Sequence, residues 1–177
     1  MSGMVVWFTG LPSSGKSQLA QRVLSELNAA TRPCCLLDGD RVRELLRPKP
    51  GYSPAERDNF YATLALLAAE LANQGLIVLV AATALRRAYR ERARAAAPRF
   101  VEVWLNASTE ECRSRDAKRL YASFARGQVS NLPGADAEYE VPETPEVSAF
   151  GAKDDAAVSK ILEHIGVSTG TNQTNES

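Results

Sequence analysis

The chain has 177 residues with 21 Lys plus Arg against 21 Asp plus Glu, a formal net charge of zero. That balance argues against a nucleic-acid or membrane-surface partner, and no apolar run approaches the roughly 20 residues that span a bilayer. A 45% hydrophobic and 24% charged composition suits one globular domain with a substantial core, and the sequence reads as a reduced, cytoplasmic protein. The three cysteines, Cys34, Cys35 and Cys112, have no metal-ligand spacing.

Taken in chain order, the first element is an apolar strand over 4–9. It runs into Gly10-Leu11-Pro12-Ser13-Ser14-Gly15-Lys16-Ser17, which satisfies the pattern G-x-x-x-x-G-K-[ST]. A strand that feeds a glycine-rich turn into a helix (16–28) aims several backbone N–H groups at one point, against the positive helix end. A triphosphate fits there, with Lys16 reaching the β- and γ-phosphates and Ser17 a ligand for Mg²⁺. Leu19, Val23 and Leu27 make the buried stripe of that helix.

The second strand, 34–38 (CCLLD), places Cys34 and Cys35 as small core residues. It ends at Asp38-Gly39-Asp40, with Arg41 and Arg43 beyond, on a helix over 40–46. Carboxylates at a strand end beside a phosphate loop can order Mg²⁺-bound water or accept a proton from an attacking hydroxyl. The alternative for Asp40 is the N-cap of the helix, and both roles can coexist. Arg43 lies one turn further on, placed to hold an anion.

Ser53 as N-cap and Pro54 at the first position open a helix over 54–73 with a stripe of Phe60, Leu64, Leu67 and Leu71. A strand over 76–81 follows, then an Arg-rich helix over 86–96 that reads as a solvated face near an anionic substrate. Next come a strand over 100–105, helix over 108–125 in one or two pieces, a weak strand over 147–150, and a helix over 152–164 that ends at the surface residue His164. Alternating strands and helices imply a parallel sheet covered on both faces, with ligands at the strands' carboxyl ends. The Pro-, Gly- and acid-rich stretch 127–146 is too long for a simple connection and reads as a lid. Residues 167–177 read as a disordered tail.

The phosphate loop, LDGDRVR (37–43), GYSPAER (51–57), GLIVLV (75–80), RDAKRLY (115–121) and PGAD…YE (133–140) together resemble the adenylylsulfate kinases from about residue 4 to 165. The resemblance implies an α/β P-loop NTPase/kinase fold as one domain over 1–166, with ATP and Mg²⁺ and a possible homodimer. It implies transfer of the γ-phosphate of ATP to the 3′-hydroxyl of adenosine 5′-phosphosulfate, giving the activated sulfate donor. By the same resemblance Asp40 is the candidate base, Asp38 joins Ser17 in the metal shell, and Lys118 lies near the reacting phosphates. Arg115 falls on the ATP side with residues 10–17. Arg43 and Arg57 hold the phosphosulfate, Tyr52 stands where a Phe packs on the substrate adenine, and Arg87 and Leu132 complete the acceptor site.

The chain also departs from that pattern. Phe60 stands where the family has a substrate-binding Asn, Ala84 where some relatives carry a phosphorylated Ser, and Leu132 where an aromatic residue stacks. With Ala84 in place a phosphoserine intermediate is excluded, and direct in-line transfer needs none. These changes fall on the acceptor side, so a kinase for another small hydroxylated acceptor is the alternative. A non-catalytic nucleotide-binding subunit is a third reading, against which stands the retention of Asp40, Lys16, Ser17 and Lys118.

Overall fold

Every residue of β1 (Met4–Thr9) is buried, the signature of a central strand with both faces covered. A computed structural model of the chain describes residues 3–116 and 118–167. Among these, β1 pairs in parallel with β3 (Ile77–Ala81) on one side and β4 (Phe100–Leu105) on the other. β2 (Cys34–Asp38) and β5 (Val147–Ala149) form the edges, giving the order β2-β3-β1-β4-β5.

Alternation along the strands divides the core. Met4, Val6 and Phe8 face one layer, packed against α1 (Lys16–Ala29) and α7 (Asp155–Ile165). Val5 and Trp7 face the other, packed against α3 (Pro54–Asn73) and α4 (Arg87–Ala96). The stripe Leu19, Val23, Leu27 on α1 is fully buried. α3 differs from its expected stripe. Phe60 and Leu64 are buried, but Leu67 is 39% exposed, and burial continues through Ala65, Ala68, Ala69 and Ala72. Alanines let the long helix lie close to the sheet, so the bulkier Leu67 and Leu71 are left at its margin. Cys34 and Cys35 are half-buried rather than core residues, because β2 is an edge strand.

Caps set the remaining boundaries. Ser53 and Glu56 form a reciprocal capping box with Pro54 at the start of α3. Ser108 and Glu111 do the same for α5 (Thr109–Ser114), and α6 (Leu120–Ala125) follows as a separate piece. The Asp154 carboxylate caps α7 at the Ala157 N–H, which moves its start three residues beyond 152. α2 (Gly39–Leu45) is capped by Asp38, whose carboxylate accepts from the N–H groups of Asp40 and Arg41. The cap is therefore Asp38 and not Asp40, since the chain turns helical at Gly39.

At the C-terminal end Gly166 takes a left-handed conformation and the Val167 N–H donates to the Leu162 carbonyl, while Val167 packs against the core. Val167 thus belongs to the fold, and the rest of the expected tail, 168–177, lies outside the described residues. Among the described residues no helix is long and apolar enough to cross a membrane.

The Arg-rich α4 is not a solvated face throughout. Arg90 is 1% exposed, and its Nε donates to Glu102 at 2.7 Å, with further bonds to the Ala84 and Glu140 carbonyls at 2.5 and 2.6 Å. Arg94 pairs with Glu146, whose Oε2 also accepts from the Glu102 N–H at 2.6 Å. Residues 90 and 94 share one helix face, and here that face meets the buried Glu102 carboxylate and the more exposed one of Glu146. Burial pushes the Glu102 carboxyl above its usual range, against the opposing pull of Arg90 and Arg94.

Candidate functional site

β1 is flanked by β3 and β4, which follow it in sequence on opposite sides, so the crevice at the carboxyl ends of β1 and β3 is the topological switch point. Thr9 closes the floor of this crevice. Its hydroxyl donates to the Thr83 carbonyl at 2.6 Å and shares a 2.9 Å hydrogen bond with Tyr139 OH. Burial raises the Tyr139 phenol to about 12, so it stays protonated as a fixed strut.

Above the floor runs the phosphate loop. Gly10 has φ 154° and Gly15 φ 99°. A Cβ at Gly10 would lie 2.9 Å from both the Leu105 carbonyl and Ser14 Oγ, so only glycine lets the loop fold this tightly. α2, α3, α5 and α7 have side-chain caps; α1, like α4 and α6, has none, and its N-cap is Gly15 with no acidic residue in the first turn. Its N–H groups are left for an external anion. The Ser14 hydroxyl is also buried and unpartnered among the described residues.

Lys16 Nζ donates to the carbonyls of Gly10 and Leu11 at 3.0 and 2.7 Å. Burial lowers its pKa to about 8, with Asp40 pulling upward and Lys118 downward. Ser17 Oγ donates to Asp38 Oδ2 at 2.5 Å, and Asp38 Oδ1 holds the start of α2. Asp38 thus joins α2 to the loop. Asp40 pairs with Lys118 across the cavity mouth. Burial lowers the Lys118 pKa, but the hydrogen bond and charge of Asp40, with the charge of Asp38, raise it overall.

These groups open onto one cavity of about 790 Å³, a size typical of small-molecule sites. Pro12, Ser13, Gly15, Lys16 and Ser17 line one end with Arg115 and Lys118 near them. Asp38, Asp40, Arg43, Tyr52, Arg57 and Leu132 line much of the rest, with Phe60 and Tyr61 on the same wall. Gly10, Leu11 and Ser14 shape the loop from behind rather than line the space.

Arg57 NH2 donates to the Asn131 carbonyl, which ties α3 to the 127–146 segment. The Asp136 carboxylate accepts from the Asn131 and Leu132 N–H groups at 2.8 and 2.6 Å, fixing Leu132 at the cavity wall. Arg87 is the residue the structure leaves out. Its guanidinium pairs with Glu143 and its N–H with Glu140 at 2.7 Å, and it does not line the cavity.

Sequence reasoning missed Tyr61, Arg90 and the strut role of Tyr139. Tyr61 is buried on the cavity wall, with its OH accepting from the Ala84 N–H at 3.0 Å and its ring stacked on Tyr89 at 4.7 Å. Its partners lie 23 and 28 residues away, so no local pattern announces them. Three or more His, Cys, Asp or Glu side chains do not cluster as a metal site among the described residues. The Ser17–Asp38 oxygen pair is the arrangement that suits a hard cation shared with a phosphate.

A family profile described as "Adenylylsulphate kinase" matches residues 2–149. The chain is 41% identical to an adenylyl-sulfate kinase of Synechococcus sp. (strain JA-3-3Ab), over 82% of this chain and 82% of that one. It is 39% identical to a probable bifunctional SAT/APS kinase 2 of Sorangium cellulosum, over 92% of this chain but only 28% of that longer protein. Among solved structures, the Mycobacterium tuberculosis APS kinase in complex with AMPPNP and APS superposes with a TM-score of 0.86 at 31% identity. That match covers 93% of this chain and 98% of the other.

Proposed function

The chain belongs to the adenylylsulfate kinase family, and from that premise we propose that it transfers the γ-phosphate of ATP to the 3′-hydroxyl of adenosine 5′-phosphosulfate. One observation carries this reading: a single cavity joins an uncapped phosphate-loop helix to a carboxylate, Asp40, and to two cationic side chains beyond it, Arg43 and Arg57. The donor and an anionic acceptor can therefore meet end to end.

ATP takes the loop. Lys16 leaves the Gly10 and Leu11 carbonyls to pair with the β- and γ-phosphates, and the first-turn N–H groups of α1 meet the same anion. Ser17 and Asp38 are the residues that would hold Mg²⁺, which would neutralise charge on the β- and γ-oxygens. Arg43 and Arg57 hold the phosphosulfate by charge-assisted hydrogen bonds, with Tyr52 beside the adenine.

Asp40 accepts the proton of the 3′-hydroxyl as its oxygen forms a bond to the γ-phosphorus. The bond from that phosphorus to the β-bridging oxygen breaks in line, and ADP leaves with its electron pair. Lys118 is already paired with Asp40 and stands ready to follow the charge onto the transferring group. Residues 127–146 act as the lid of a domain that extends through Val167, closing through Arg57 and Asn131. A cytoplasmic setting, where ATP is plentiful, suits this reaction. A homodimer is supported by the exposed Leu66 and Leu67 on the outer face of α3, and light scattering of the purified chain tests it.

The deciding experiment measures ADP release with adenosine 5′-phosphosulfate and with a panel of hydroxylated metabolites. Preferred turnover of the phosphosulfate, with a 3′-phosphorylated product by mass and NMR, is expected. Transfer to another alcohol with none to the phosphosulfate would overturn the assignment.

A further inference from the structure

Arg43 is 4% exposed, and none of the ion pairs among the described residues includes it. A buried cation must be compensated by something. Here Arg43 Nη1 donates to the Gly51 and Pro50 carbonyls at 2.6 and 3.3 Å. The guanidinium carbon sits 3.8 Å from the Phe60 ring centroid and 4.5 Å from that of Tyr52. The cation is thus stacked between two aromatic faces, Phe60 on the core side and Tyr52, 53% exposed, on the solvent side.

The Phe60 face is the rigid one. Phe60 is 3% exposed and its ring meets Tyr61 edge-on at 5.2 Å. Tyr61 in turn is held by Tyr89 and by the Ala84 N–H. An arginine whose plane is fixed and which has no carboxylate within ion-pair distance among the described residues, Glu56 acting on it only from further away, keeps its attraction for an incoming oxyanion. Cation–π contact supplies this, because a ring orients a guanidinium without neutralising it.

We infer that Phe60 is a positioning residue for the acceptor: it fixes the plane of Arg43 so that the guanidinium meets the phosphosulfate group preoriented. The inference rests on the function proposed above for the identity of that anion. It reverses what the Asn-to-Phe departure suggests at first sight, since Phe60 replaces a direct polar contact with a stacked, better-ordered arginine. Asn at position 60 would remove the ring from Arg43 and bring an amide into a buried place. In this chain that change weakens the acceptor grip.

Phe60→Leu, Phe60→Asn and Phe60→Tyr in the full chain test this. Acceptor and ATP KM are measured for each, and the Arg43 side-chain Nε–Hε resonance, assigned through Arg43→Lys, is followed by NMR. Leu and Asn should raise the acceptor KM about 10-fold, the scale of one desolvated cation–π contact, with the KM for ATP close to wild type. Both should also move the Arg43 Hε signal downfield as the ring-current shielding is lost. Tyr should preserve the wild-type KM and the wild-type shift. An acceptor KM in the Leu or Asn variant at or below wild type, or an Arg43 resonance that does not move, would overturn the inference. If wild type itself does not use the phosphosulfate, the functional reading falls, while the resonance still decides whether Phe60 orders Arg43.

Discussion

The two ends of the cavity are made in different ways. The donor end is one stretch of eight residues whose backbone, glycine turns and helix end form the binding surface together. The acceptor end is gathered from α2, α3, the 50–53 turn and the 127–146 segment, and its cations are held by aromatic rings and carbonyls. A site made from local backbone changes little unless the loop itself changes. A site made from long-range side-chain packing can change one residue at a time, which is why the departures at Phe60 and Leu132 lie there while the loop is intact.

The largest effect should come from the point where the two ends meet. Asp40→Asn keeps the size of the side chain, and the α2 cap is untouched because Asp38 provides it. Turnover should fall roughly 10²–10⁴-fold through loss of proton acceptance, while ATP affinity measured by calorimetry is retained. Near-normal turnover in this variant would remove Asp40 as the base. Lys16→Ala strikes the donor end alone. A loss of about 10²–10³-fold in turnover is expected, the scale of one transition-state donor, and single-turnover kinetics on the folded variant would check it.

How much of each end was legible follows from the same distinction. Gly10 to Ser17 announced itself because its chemistry is written in consecutive residues, and Ser53, Pro54 and Glu56 gave the start of α3 for the same reason. The parallel sheet followed from apolar runs alternating with helices. Asp40 was the cap alternative for α2 and the structure puts the cap two residues earlier, since Asp38 and Asp40 flank one glycine and only the backbone decides between them. The α4 arginines looked solvated because Glu102, Glu140 and Glu146 reach them from distant elements. Arg43 was identified as an anion holder from its place one turn past Asp40 and again by the family resemblance, but its stacking on Phe60 depends on how α2 leans on α3, and no periodicity records that.

The Arg90–Glu102 pair supports the acceptor end from beneath, since Arg90 also holds the Ala84 and Glu140 carbonyls. Arg90→Met would take from the buried Glu102 its nearer partner and leave only Arg94 at 3.5 Å, a loss of up to about 3–5 kcal/mol in denaturant unfolding near neutral pH. The sign with pH follows from the Glu102 carboxyl, which burial already raises and which would rise further without Arg90. A carboxyl raised in the folded state costs stability once pH climbs above its unfolded value. The variant should therefore lose more stability near neutrality than near its unfolded pKa of about 4.3. A pH-independent loss would show that packing, and not charge, is what Arg90 supplies.

A smaller effect separates the ends without mutation. Lys16 in the free protein has its pKa lowered to about 8 by burial. The triphosphate needs the charged form, so binding above that pH must draw a proton. The kcat/KM for ATP, which reports the free enzyme, should fall about tenfold per pH unit above the Lys16 value. No carboxylate or amine that titrates here takes part in the arginine contacts to the acceptor, so acceptor affinity, measured by direct binding, should not follow that decline. A parallel decline in both would mean that Lys16 does not control it.

The smallest expected effect concerns Arg87, which the resemblance places with the substrate and the structure places against Glu143. Its side chain is 46% exposed and that of Glu143 74% exposed, so the pair is an exposed ion pair worth at most about 1 kcal/mol. The bond that anchors this turn is instead from the Arg87 backbone N–H to Glu140, and alanine keeps it. Arg87→Ala should therefore leave the acceptor KM within about twofold of wild type, because a side chain outside the cavity has no charge-assisted contact to lose. Arg43→Ala, measured beside it, should raise the same KM about 10-fold or more. A rise for Arg87→Ala as large as for Arg43→Ala would mean that closure of the 127–146 segment swings Arg87 off Glu143 and onto the substrate. The acceptor end would then be assembled only when the substrate is bound, and the contrast with the preformed donor end would be sharper still.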